Sequence, residues 1–249
     1  MIEIVGLSKS FGDNVVLDDV SFTVREGGTL ALFGPSGTGK SVLLKHIIGL
    51  IEPDVGDVVV DGVSITNANR RELNQVRQRV GYVFQGSALF DSLSVGENIQ
   101  LGMDVDGCRL NKKECQQRVA ECLRLVNLHP SVADLYPIEL SGGMQKRVAI
   151  ARAFAGHQRY LLYDEPTTGL DPENAFIITN LIDQLREEIG VTSIMVTHDL
   201  DNAFLVADRI ALLYEGKIRF KGPVEEFRES EDPIVRRFVS PSVENIHMA

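Results

Sequence analysis

Cysteine is scarce in this chain: Cys108, Cys115 and Cys122 are the three in 249 residues. Spaced seven apart, they form neither a zinc-site pattern nor a disulfide framework. On a helix they would share one face, as small apolar packing residues do. Basic excess is also absent. The net charge is −10 and the pI ≈ 5.0, which excludes a nucleic-acid surface as the main business of the protein. No apolar run approaches the roughly 18 residues of a membrane span. Met1–Val5 lacks the basic start and apolar stretch of a signal peptide, so cytoplasm is the expected compartment. There is no internal repeat and no low-complexity linker. The 44% hydrophobic and 24% charged residues are those of a soluble globular protein, long enough for a sizeable core.

Against these absences stands Gly34-Pro35-Ser36-Gly37-Thr38-Gly39-Lys40-Ser41. The apolar run Thr29–Phe33 before it reads as a buried strand, and Val42–Ile48 after it as a helix closed by Gly49. Strand, glycine-rich turn, helix is the setting in which G-x-x-x-x-G-K-[ST] cradles phosphate. Glycines let successive N–H groups point inward at anionic oxygens. The helix N-terminus adds roughly half a positive charge at the same place. Lys40 would reach the β- and γ-phosphates, and the Ser41 hydroxyl would ligate Mg²⁺.

Along the chain, Ile2–Leu7 and Val20–Val24 alternate as strands, with a turn at Ser10–Asn14 between them. Gly56–Gly62 reads as a strand, Arg70–Arg79 as a helix, and Val80–Phe84 as a buried strand ending at Gln85. From about residue 86 to 156 helical periodicity takes over, with helices expected at Val95–Met103, Lys112–Val126 and Met144–Phe154. Strand character resumes at Tyr160–Tyr163. A helix follows over Pro172–Glu188, with Asp171 as N-cap and Pro172 at its first position. A strand at Ser193–Thr197, a helix at Asn202–Ala207 and strands at Arg209–Tyr214 and Lys217–Lys221 complete the pattern. This is an α/β core interrupted by a helical insertion.

Three further stretches bear on chemistry. Asp164 and Glu165 end a buried strand, where parallel sheets bind ligands. Asp164 could hold Mg²⁺ through water and Glu165 could polarise an attacking water; alternatively both cap the following turn. Ser141-Gly142-Gly143 opens a helix that also carries Lys146, Arg147 and Arg152. It reads as a second anion site or as an ordinary N-cap. His198 and Gln85 each end a core strand. Taken singly they are more often structural, but beside a γ-phosphate His198 could hold the attacking water and Gln85 could bond both metal and water.

Taken together, Gly34–Ser41, Gln85, Leu140–Met144, Asp164-Glu165, Gly169-Leu170-Asp171 and His198 occur in the order and approximate spacing of the ATP-binding cassette (ABC) ATPases, which this chain resembles over about residues 1–222. The resemblance implies an α/β fold: a P-loop NTPase (RecA-like) core with an antiparallel β subdomain and a helical subdomain over about residues 86–156. Beyond it, residues 223–249 read as a C-terminal helical extension, with Val224, Phe227, Ile234, Val235 and Phe238 as its apolar positions, and a polar tail. The resemblance also implies ATP and Mg²⁺ as ligands, with Ser41, Gln85 and Asp164 at the metal. Phe11 would stack on adenine, and Gln85 would link the γ-phosphate to the helical subdomain. Glu165 would be the catalytic base and His198 the switch histidine. Ser141-Gly142-Gly143 would grip the γ-phosphate held by a second copy of the chain, and Asp171 would lie in the loop crossing that interface.

Within the superfamily, Gln85–Phe90, the signature ending in Met144 and the tail Asp232–Phe238 are similar to the ATPases of MCE-linked lipid transporters, the Mla system of Gram-negative bacteria. That implies integral membrane permease subunits, an MCE-domain lipid-binding protein and a small regulatory subunit as partners, no nucleic acid, and a place on the inner face of the cytoplasmic membrane. A polar-solute importer of the amino-acid type and a non-transport regulatory ABC protein are the alternatives. Two departures stand out: Met144 replaces the usual signature glutamine, and Phe11 the commoner tyrosine, keeping its stacking face. Leu89, Phe90 and Leu93 could face a permease or pack in the core.

Overall fold

The computed structural model describes residues 1–103 and 111–239. Cys108 and the tail from 240 lie outside them. Its centre is a six-stranded sheet in the order β10-β9-β3-β8-β7-β6. The strands are β3 (Thr29–Phe33), β6 (Val80–Val83), β7 (Tyr160–Asp164), β8 (Thr192–Thr197), β9 (Arg209–Tyr214) and β10 (Lys217–Pro223). The first five run parallel and β10 returns antiparallel. Every residue of β3, β7 and β8 is buried, which is why these segments read as unbroken apolar runs.

A second, antiparallel sheet runs β2-β1-β4-β5. Its strands are β1 (Ile2–Phe11), β2 (Asn14–Val24), β4 (Val55–Val60) and β5 (Val63–Ser64). The two strands before the P-loop are thus longer than alternation implied. Register shifts between Ile4 and Ser10, with Gly6 and Asp19 at positive φ, break the alternation without ending the pairing. The predicted turn at Ser10–Asn14 narrows to Gly12-Asp13. The expected strand Gly56–Gly62, with turn residues at both ends, is β4, which ends at Val60; the chain turns at Asp61-Gly62, both at positive φ, into β5.

Helix α1 (Lys40–Ile47) follows the P-loop, and α2 (Arg70–Arg79) is started by an Asn69–Glu72 capping box. The helical stretch contains α3 (Val95–Gln100), α4 (Lys112–Leu125) and α5 (Gly142–Phe154). α3 stops earlier than periodicity implied, the chain turning through Leu101–Met103. Cys122 is buried in this helical core and Cys115 is half-buried. Leu89 packs against the core while Phe90 is exposed. α6 (Pro172–Ile189) starts at Asp171, whose carboxylate accepts from the Asn174 N–H at 3.0 Å. α7 (Leu200–Val206) begins two residues before the predicted Asn202, because Asp199 caps it. Two short helices, α8 (Val224–Arg228) and α9 (Pro233–Val239), pack Phe227 and Phe238 edge-on to Phe33. No helix among the described residues is long and apolar enough to cross a membrane.

The sheet and α5 meet closely at Gly81, where a Cβ would lie 2.0 Å from the Ala153 carbonyl oxygen. Neither backbone can yield, because both belong to packed elements. Gly81→Ala is expected to destabilise the protein by about 1–3 kcal/mol through overpacking, measured by urea unfolding. An unchanged midpoint would show that α5 can retreat from β6.

Candidate active site

Parallel register places the chemistry. Phe33 pairs with Thr197 and Asp164 with Val196, so Gly34, Glu165 and His198 emerge from adjacent strands at one edge of the sheet. Between them lies a cleft of about 250 Å³ lined by Phe11, Gly37, Gly39, Lys40, Ser41 and Glu165, with Val16 and Val42. Phe11 ends β1 at its lip, half exposed, with the Lys9 ammonium 5.6 Å from its ring centre.

The loop's shape needs its glycines. Gly37 and Gly39 have φ of 79° and 97°, and a Cβ on Gly39 would meet Val16 at 2.7 Å. Thr38 Oγ1 donates to the Pro35 carbonyl at 2.8 Å and holds the turn, while Ser36 and Gly37 are exposed at its tip. Gly39 caps α1 and gives no side-chain hydrogen bond, so the first N–H groups of the helix are left for an anion. Lys40 is buried, and its Nζ donates to the carbonyls of Gly34 and Pro35 at 2.7 and 2.8 Å. Burial holds its pKa below the ordinary lysine value, opposed by the carboxylates of Glu165 and Asp164.

Ser41 Oγ donates to Asp164 Oδ1 at 2.6 Å, joining the P-loop helix to the end of β7. The other carboxylate oxygen of Asp164 accepts from the Tyr82 hydroxyl at 2.9 Å. Burial and the neighbouring Asp164 raise the Tyr82 pKa well above the usual tyrosine value, so the ring stays a donor. Hydroxyl and carboxylate oxygens side by side are the donor set that a hard cation such as Mg²⁺ takes.

Glu165 sits in a left-handed conformation, φ 49°, a cost of order 1–3 kcal/mol for a non-glycine residue. Three side chains surround its carboxylate: Thr168 Oγ1 at 2.9 Å, Gln85 Nε2 at 3.2 Å and His198 Nδ1 at 3.5 Å. The structure therefore brings Gln85, Glu165 and His198 together beside the P-loop, although they are 80 and 33 residues apart in sequence.

Ser141, Gly142, Gly143 and Asp171 form a separate cluster that does not line this cleft. Ser141 Oγ accepts from the Met144 N–H at 3.3 Å, and Gly143 packs so tightly on Asn174 that a Cβ would lie 2.7 Å from its Oδ1. Asn174 Nδ2 in turn donates to Asp171 at 2.7 Å. The cluster thus joins the start of α5 to the start of α6.

Lys146, Arg147 and Arg152 follow Ser141-Gly142-Gly143 on α5. They turn elsewhere. Lys146 Nζ donates to the Gln85 carbonyl, Arg147 to the Asn127 carbonyl at 3.0 Å, and Arg152 to the carbonyls of Ser87 and Ala88 at 2.9 and 2.7 Å. Tyr82, Thr168, Lys146 and Arg152 were missed as parts of the site. A tyrosine in an otherwise apolar strand was the available signal for Tyr82; the other three carry none outside the fold.

Comparison with known proteins places this geometry. The family model described as "ABC transporter" matches residues 17–168. The probable ribonucleotide transport ATP-binding protein mkl of Mycobacterium tuberculosis is 37% identical over 96% of this chain, which spans 66% of that protein's length. The methionine import ATP-binding protein MetN of Francisella tularensis is 37% identical over 98% of this chain and 70% of its own. A solved structure, the dimeric post-hydrolysis state of the ATP-binding cassette MJ0796 with ADP and Pi, has a TM-score of 0.82 at 33% identity, covering 90% of this chain and 99% of its own. The chain belongs to the ABC transporter family, as one of its ATP-hydrolysing cassettes that bind ATP with Mg²⁺.

Proposed function

We propose that this chain is the ATPase subunit of a membrane transporter that moves phospholipid between membranes, working as a homodimer that closes on ATP. The observation that carries the ATPase part is the Ser41–Asp164–Tyr82 chain of hydrogen bonds running beside Glu165 and its three partners. One carboxylate is held where a cation would sit, the other where it can take a proton from an attacking water.

In this reading Lys40 and the uncapped amides of α1 take the β- and γ-phosphates, releasing Lys40 from its own loop's carbonyls. Phe11 stacks on the adenine. Ser41, Asp164 and Gln85 hold Mg²⁺, which when bound neutralises charge developing on the transferred phosphate. Glu165 accepts the proton of the attacking water, while His198 and Gln85 fix that water's position. Ser141, Gly142 and Gly143 lie outside the cleft; as the family resemblance implies, they serve the γ-phosphate of a second copy, with Asp171 at the shared interface. The dimeric state of the MJ0796 cassette supports that pairing.

Motion of the dimer needs somewhere to go. A groove of about 370 Å³ lined by Phe84, Phe90, Leu101 and Arg152 opens beside loop 85–90, and in this reading a membrane permease docks there. Exposed Phe90 supports this docking, and the subunit would then sit on the cytoplasmic face of the inner membrane. Phospholipid as cargo, with an MCE-domain protein and a small regulatory subunit as partners, rests on the likeness of Gln85–Phe90, Met144 and Asp232–Phe238 to the MCE-linked ATPases. A polar-solute importer is the second reading, favoured by the similarity to MetN.

Glu165→Gln is expected to bind ATP yet lose roughly 10²–10⁴-fold in turnover, as removal of a general base does. Unchanged turnover would remove the base assignment. Lys40→Ala is expected to abolish nucleotide binding, because the polyphosphate loses its direct cation; calorimetry with ATP measures it, and undiminished affinity contradicts the P-loop reading. Isolating the complex from membranes separates the cargoes. An MCE-domain protein with bound phospholipid supports the first reading, a periplasmic solute-binding protein the second, and no membrane partner at all contradicts both.

A further inference from the structure

Loop 85–88 is held by one helix at both of its ends. From α5, the buried Lys146 donates to the Gln85 carbonyl, and Arg152, less than two turns later, donates to the carbonyls of Ser87 and Ala88. Ser87 and Ala88 both have left-handed φ, 62° and 49°, an uncommon backbone for residues other than glycine; the loop's own N–H groups of Ser87 and Ala88 bond to Phe84 and Gly86, and the α5 cations add to that hold. Three of the four carbonyls of this loop are thus held by two cations of a single rigid element. That element begins with Ser141-Gly142-Gly143, and its other end, Arg152, lines the groove beside Phe90. Gln85 passes the restraint on: its side-chain amide lies 3.2 Å from Glu165.

We propose that Lys146 and Arg152 are positioning residues for hydrolysis, a two-point clamp through which α5 sets Gln85 against Glu165. Any shift of α5, whether from nucleotide at its N-terminus or from a partner in the groove, then moves Gln85 with it. Lys146 suits the task because a buried ammonium cannot release its carbonyl without being stranded away from water. Burial also lowers its pKa, with Glu165 the opposing attraction, so the cation belongs to the field of the site. The inference rests on the Gln85–Glu165 pair proposed above.

The test is a cycle of Lys146→Met and Gln85→Ala in the full chain, read by ATP turnover, ATP affinity and thermal midpoint. K146M is expected to lower kcat roughly 10–100-fold, the cost of a misplaced reacting group, with ATP affinity unchanged, since Lys146 does not line the cleft. In the Q85A background the same substitution should have no further effect, because its action passes through Gln85. Without nucleotide, amide exchange across residues 85–88 should quicken in K146M and partly recover in K146Q, which keeps a donor at the carbonyl. Arg152→Lys gives the same comparison from the other end should K146M not fold. Losses that multiply in the double variant, or unaltered kcat and exchange, overturn the clamp. E165Q separates the two claims: an inactive E165Q beside a fully active K146M sinks the clamp alone, whereas an active E165Q sinks both.

Discussion

Complete burial of three adjacent parallel strands, β7, β8 and β3, is the constraint on which the site depends. Strands buried on both faces cannot slip in register without exposing apolar side chains or stranding backbone groups. Their C-terminal ends therefore stop at one level, and Gly34, Asp164-Glu165 and His198 leave the sheet together. A carboxylate 123 residues from the P-loop serine comes within 2.6 Å of it by this means alone. The polar chemistry is local, but its alignment comes from the apolar core behind it.

That alignment is stable only because each buried charge has been given acceptors. Lys40 lies against the carbonyls of its own loop, and Lys146 against that of Gln85. Neither arrangement is inert. Lys40 can exchange carbonyl oxygens for phosphate oxygens and keep its partners in number, so phosphate entry need not expose a bare cation. Lys146 has no such exchange on offer, and holds. In the proposed reading the first lysine is a ligand group and the second a fastener, although sequence alone shows both as a lysine near glycines.

Legibility in the sequence followed the same division. β3, α2 and the strand ending at Asp164 could be read because unbroken apolar runs, capping residues and glycines act over a few positions. The P-loop could be read because its chemistry is carried by neighbours in sequence. The partial misreadings arose where distant contacts decide: bulges let β1 and β2 run on past their alternation, and Asp199 started α7 early. Tyr82, Thr168 and the grip of Lys146 and Arg152 on loop 85–88 depend on which strands and helices become neighbours, and nothing local announces that. The sequence shows that α5 is basic but not that its cations are committed to carbonyls of other segments.

One chain therefore holds a glycine-rich loop with the Glu165 carboxylate beside it and, at a different place, a serine and two glycines at a helix start. The central claim is that these are halves of two sites shared by two copies. The most direct measurement is the mass in solution of the Glu165→Gln chain with and without ATP. The account predicts a particle of 27.5 kDa without nucleotide and twice that mass with ATP, the larger form being lost when Ser141→Arg is added although ATP still binds. A chain that binds ATP and remains at the single mass would contradict it.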